Sequence, residues 1–207
     1  MPSKAEKTQK EIAIVLLKKR GIMRRADLEQ AGVHGQTLAR MVDEGVLLRP
    51  SRGVYQLAEA DISENHAFAE AITAAPGSVI CLLSALRFHG LTTQRPAAVW
   101  LAISGKAREP KISYPPVRFA WFSDDAMSIG VERHLIGGVK VPIFDPAKSV
   151  VDAFRYRNKI GRDVAIEALR EAVRMRIASP DKILGYAEKI GPLNVLRPHL
   201  DTVLANG

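Results

Sequence analysis

The 207-residue chain is 47% hydrophobic and 25% charged, an ordinary folding composition that excludes collagen-like, low-complexity and disordered classes. Its 30 Lys and Arg against 22 Asp and Glu give a formal charge of +8, which favours polyanionic partners such as nucleic acid. The lone cysteine, Cys81, excludes an internal disulfide and a multi-cysteine zinc site. The chain holds no apolar run of the roughly 20 residues that span a bilayer, and no secretory core follows Met1-Pro2-Ser3-Lys4, so a cytoplasmic protein is expected.

In chain order, residues 4–19 read as a helix with Ile12, Val15 and Leu16 on its apolar face and Gly21 as its stop. Residues 24–31 read as a second, short helix capped by Gly32. Residues 35–44 read as a third, with Leu38, Met41 and Val42 at i, i+3, i+4 and Gly45 at its end. Val46–Arg49 and Gly53–Leu57 are expected strands, with Pro50-Ser51-Arg52 as the turn between them. Three short helices and a hairpin is the order of a winged helix-turn-helix. The charge agrees, since residues 1–58 carry 11 basic and 6 acidic side chains and residues 59–207 carry 19 and 16.

With Leu38, Met41 and Val42 inward, helical geometry turns Gln36, Arg40 and Asp43 outward. A recognition helix reads base edges with its N-terminal residues, Gln pairing with adenine and Arg with guanine. Gln36 and Arg40 are the expected base readers, with His34 and Thr37 at the helix start, where backbone N–H groups also favour a phosphate. Arg49, Ser51 and Arg52 around the wing are expected at phosphates or the adjacent minor groove. Lys19, Arg24 and Arg25, with Lys18 and Arg20, are further expected phosphate contacts. The acidic Asp43 and Glu44 fall at the far end of the helix, which points out of the groove.

A boundary is expected near residue 60, giving a DNA-binding domain over 1–60 and a second domain over 61–207. Ser63 is placed to cap a helix from Glu64 to Ala75, ended by Pro76-Gly77. Val79–Leu83 reads as a strand with Cys81 as a small buried hydrophobe, and Ser84–His89 as a short helix. Ala98–Ile103 and Arg118–Phe122 are expected strands, and Ile129–Leu135 with Val139–Phe144 a hairpin around Gly137-Gly138. Segments 147–157, 163–177, 180–189 and 193–204 are expected helices. The fold class is therefore α+β: a winged helix-turn-helix, then a mixed α/β domain with a helical C-terminal end.

Arg24–Leu57 resembles the winged-helix domain of AbiEi-type antitoxins. The carrying residues are Ala26-Asp27-Leu28, Ala31-Gly32-Val33, Leu38, Met41-Val42, Gly45-Val46-Leu47 and, most specifically, Arg52-Gly53-Val54-Tyr55. Ile80–Leu86 with His89-Gly90-Leu91, and Val141–Asp152, are similar to the family's second domain, with Lys148-Ser149 standing where it commonly has Arg-Thr. The resemblance implies a repressor of its own operon that binds inverted repeats on double-stranded DNA. It also implies an antitoxin that counteracts a nucleotidyltransferase-like toxin.

Enzyme readings are weaker. Gly77-Ser78 lacks the Asp-x-Asp of a nucleotidyltransferase, and the acids Asp124-Asp125 are adjacent. Glu109-Pro110-Lys111 has the letters of a metal-dependent nuclease motif but sits in a proline-broken loop. The five histidines form no i, i+4 pair. The basic residues of the C-terminal third, Arg155 to Arg176, read as the solvated face of amphipathic helices. The expectation is a non-enzymatic regulator without cofactor or metal. The alternative is a protein–protein adaptor that uses the winged helix for docking, and the third reading is the nuclease.

Overall fold

The computed structural model describes residues 8–59 and 65–205. The expected start of the first helix at residues 4–7 and the Ser63 cap lie outside them. By internal contacts the chain forms two compact units. The first comprises Met1–Pro76, Pro110–Pro116 and His134–Val141; the second comprises Gly77–Glu109, Val117–Arg133 and Pro142–Gly207.

The first unit begins with α1 (Gln9–Arg20), which opens in a reciprocal cap: Thr8 Oγ1 accepts from the Glu11 N–H, and the Glu11 carboxylate accepts from the Thr8 N–H. Then follow β1 (Met23–Arg24), α2 (Arg25–Gln30), α3 (Gly35–Asp43), β2 (Leu47–Ser51), β3 (Val54–Leu57) and α4 (His66–Ala74). The strands form an antiparallel sheet in the order β1-β3-β2. Ala13 and Leu17 of α1, Leu28 of α2, Leu38 and Met41 of α3, and Leu47 and Tyr55 of the sheet share one core. The helical period read from the sequence thus puts Leu38 and Met41 inside, while Val42 is only half-buried.

The wing turn differs from expectation. β2 continues through Pro50 and Ser51, and the turn falls at Arg52-Gly53, where Gly53 takes the positive φ (77°) that suits glycine. Proline is tolerated because β2 is an edge strand, and the pairing register shifts between Leu48 and Ser51.

The second unit contains β4 (Val79–Ile80), α5 (Leu82–Phe88), β5 (Val99–Ser104), β6 (Val117–Phe122) and α6 (Asp124–Ser128). The hairpin β7 (Val131–Ile136) and β8 (Val139–Phe144) follows, its tip over His134–Val141 counting with the first unit, then α7 (Pro146–Arg155), α8 (Arg157–Ile160), α9 (Arg162–Arg174), α10 (Pro180–Ile190) and α11 (Leu193–Ala205). The five-stranded sheet runs β6-β5-β4-β8-β7, with β4 antiparallel to β5 and parallel to β8, and β5 parallel to β6. The apolar run at Val79–Leu83 is not one strand. The chain leaves the sheet at Cys81, and a positive φ at Leu82 (46°) starts α5, which sends Leu82 and Leu86 into the core. Cys81 is fully buried and its thiol is pushed well above its usual pKa, so it packs as a small apolar group. The protein is α+β, and an unbroken run of helices, α7–α11, forms its C-terminal end. Among the described residues no helix is long and apolar enough to cross a membrane.

Candidate nucleic-acid interface

The surface of α3 is set by which of its residues the core takes. Leu38 and Met41 are buried, whereas Gln36, Ala39, Arg40 and Asp43 are exposed along one stripe. Ala39 was not singled out from the sequence; its i+3 spacing from Gln36 was the available signal. A methyl group there leaves the stripe low between Gln36 and Arg40.

Two residues of α1 hold α3. Gln9 Oε1 accepts from the His34 N–H (3.1 Å) and from Thr37 Oγ1 (2.7 Å). Lys10 Nζ meets Glu44 Oε2 at 2.6 Å and holds the Glu44 carboxyl below its usual pKa. α3 is therefore tied near both ends to the same helix. Thr37 is half-buried with its hydroxyl engaged, so it positions α3. His34 is the exposed N-cap residue of α3 and forms no side-chain cap.

Gln9→Ala removes both bonds at once. The expected cost is about 0.5–1.5 kcal/mol, with faster hydrogen exchange at the His34 amide than at core amides such as Leu38. Unchanged His34 exchange would show that Gln9 does not restrain α3.

The basic residues divide by their partners. Arg24 pairs with Asp27 (3.1 Å) and Arg25 with Glu29 (2.8 Å), both exposed. Arg25 also lies against the start of α3, because a Cβ on Gly35 would stand 2.4 Å from its guanidinium nitrogen. The Arg25 N–H donates to the Gly53 carbonyl (2.7 Å), joining the start of α2 to the wing turn. On the wing, Arg49 is exposed and lies 6.0 Å from the Tyr55 ring centroid, and Arg52 is exposed on the turn. Lys19 is exposed on the last turn of α1 with Lys18 and Arg20, where cations complement the helix dipole. Ser51 is buried within β2, because the strand runs on through it and the turn begins only at Arg52, so its side chain is not on the outer surface.

The second unit holds a buried polar cluster that the sequence did not single out as a site. Asp145 caps α7, accepting from the Lys148 N–H through Oδ1 (2.8 Å), while Oδ2 accepts from Tyr186 (3.0 Å) and Lys182 (2.9 Å). Ser149 Oγ donates to the Phe144 carbonyl (3.1 Å). Lys148 and Asp152 are fully buried and paired at 2.5 Å, with Lys148 Nζ 4.0 Å from the Phe144 ring centroid. Burial pushes the Asp152 carboxyl up to about 6 and the Lys148 ammonium down. The i, i+4 spacing was legible; the burial was not. With both side chains at zero exposure, substrate cannot reach them, and the cluster fastens α7 beside the sheet.

The letters of the nuclease motif do not assemble a site. Glu109 and Lys111 are exposed, and Asp124 is engaged by Ser104 (2.7 Å) and Lys106 (3.1 Å), which hold its carboxyl low. Among the described residues no group of three or more His, Cys, Asp or Glu stands where it could hold a metal ion.

Residues 10–58 match the model of a family described as transcriptional regulator, AbiEi antitoxin. A search of curated proteins found no match. Among solved structures, the chain is similar to the RV2827C protein from Mycobacterium tuberculosis, at 16% identity over 97% of this chain and 79% of that one, with a TM-score of 0.61. That likeness is one of fold.

Proposed function

We propose, from an N-terminal segment similar to antitoxin transcriptional regulators, that this protein binds operator DNA through α3 and represses its own operon. Gln36, Ala39 and Arg40 read base edges in the major groove. Arg49 and Arg52 of the wing, with Lys19, Arg24 and Arg25, contact phosphates. Two copies on an inverted repeat would place one α3 in each half-site. The second unit counteracts a nucleotidyltransferase-like toxin. The observation that carries the DNA-binding reading is the exposed Gln36–Ala39–Arg40 stripe on a helix that α1 fixes from behind.

The experiment is a binding titration on duplex DNA from upstream of its own gene, repeated over a range of salt. Each neutralised phosphate contributes about −0.9 to the slope of log K against log salt. Arg49→Ala and Arg52→Ala are each expected to make the slope shallower by about 1, and to weaken operator and unrelated duplexes equally. A flat salt response in the wild-type protein would overturn the DNA reading and favour an adaptor.

A further inference from the structure

The first unit contains a cavity of about 320 Å³ that the DNA-binding reading does not use. Leu17, Ile22 and Leu57 supply its apolar wall, and Lys18 and Glu59 bring one charge of each sign. His66 lines it and is itself 6% exposed. Its Nε2 lies 2.7 Å from Gln56 Oε1 and 3.8 Å from Glu70 Oε1. With the Gln56 oxygen accepting, Nε2 carries the proton and Nδ1 is left as a bare acceptor. Nδ1 is buried and has no hydrogen-bond partner among the described residues. An unmade hydrogen bond of this kind is costly.

The surroundings keep room for a partner. A Cβ on Gly137 would stand 3.4 Å from Nδ1, so the absence of a side chain there leaves the nitrogen uncrowded. The volume falls at the small end of the range for small-molecule pockets, and an apolar wall with one directed polar group is how such pockets orient a ligand. Burial also lowers the His66 pKa, which keeps the ring neutral and accepting at pH 7.

We propose that this cavity binds a small, largely apolar ring compound that donates one hydrogen bond, from a hydroxyl or ring N–H, to His66 Nδ1. A permanent cation does not fit the apolar wall, and a molecule without a donor leaves Nδ1 unpaired. The cavity is built on the C-terminal end of α1, and the N-terminal end of α1 carries Gln9 and Lys10 to α3. Occupancy therefore bears on the helix that holds α3. That regulatory consequence rests on the DNA-binding reading; ligand binding does not.

The test is NMR on the full chain without DNA, using phenol and indole as probes and toluene as the donor-free match. Phenol and indole are expected to give saturable shifts at the Leu17, Gly21 and Ile22 amides, and to move the His66 Nδ1 nitrogen upfield as it gains a donor. Toluene is expected to bind about tenfold more weakly, and His66→Phe to weaken phenol about 3–10-fold. The Nδ1 shift in the wild-type protein decides the matter if that variant does not fold. The proposal falls if phenol and indole give no saturable shift, if toluene binds as well as phenol, or if Nδ1 does not move. Any of these leaves the operator titration untouched, and loss of operator binding leaves the phenol result untouched.

Discussion

Lys148→Met is expected to lower the unfolding free energy by about 3 kcal/mol near pH 8, the low end of the range for breaking a buried ion pair from one side. The substitution keeps an unbranched chain between the Phe122 and Phe144 rings but removes the ammonium 2.5 Å from Asp152. Asp152 is then a buried carboxylate whose second oxygen, Oδ1, already has no hydrogen-bond partner among the described residues. Replacing both partners is the informative comparison. Lys148→Met with Asp152→Leu is expected to recover most of the loss, since an apolar pair of similar volume avoids both desolvation costs.

The pH dependence has a definite sign. The folded Asp152 pKa, about 6, already exceeds the unfolded value near 3.9. Removing the cation raises it further. Where the folded state holds more protons than the unfolded one, stability falls as pH rises. The deficit of Lys148→Met against wild type is therefore expected to be small near pH 5 and to grow towards pH 8. Denaturant titrations at those pH values measure it. A deficit that is constant with pH would mean that the loss is one of packing and not of an uncompensated carboxylate.

Arg40→Ala is expected to weaken operator binding by about 1–3 kcal/mol, roughly 5–150-fold, and to relax preference at one base pair. Arg40 is 67% exposed in its side chain and sits 3.8 Å from Glu44 Oε1, a loose surface pair of little worth. Glu44 is held instead by Lys10. The guanidinium is thus free to exchange this contact for a guanine edge, while α3 stays anchored. Arg40→Lys is not expected to restore binding, because one ammonium cannot make the two parallel bonds of the guanidinium. Arg197→Ala in α11, also on an exposed arginine, serves as the control and is expected to bind as wild type. If Arg40→Ala bound the operator as tightly as wild type does, α3 would lose its place as the reading element.

Elements too short to show a period leave no trace in the sequence. β1 is two residues long and exists because Met23 and Arg24 pair with Tyr55 and Val54, some thirty positions away. α6 and α8, of five and four residues, left no period either. At Val79–Leu83 an apolar run cannot tell a buried strand from a buried helix start. Gln9 belongs to the same class, because its role depends on α1 lying across the start of α3.

What the sequence by itself determined was local. The apolar period of α3, its glycine stops and the basic first quarter specified a winged-helix order with Gln36 and Arg40 outward, because a helix of fixed pitch leaves no other face for them. Tertiary structure alone decided what long-range contact creates: the Gln9 and Lys10 ties to α3, the burial of Lys148 with Asp152, and the buried, unsatisfied Nδ1 of His66. Burial and hydrogen-bond satisfaction belong to the packed chain, and no residue carries them in its own identity.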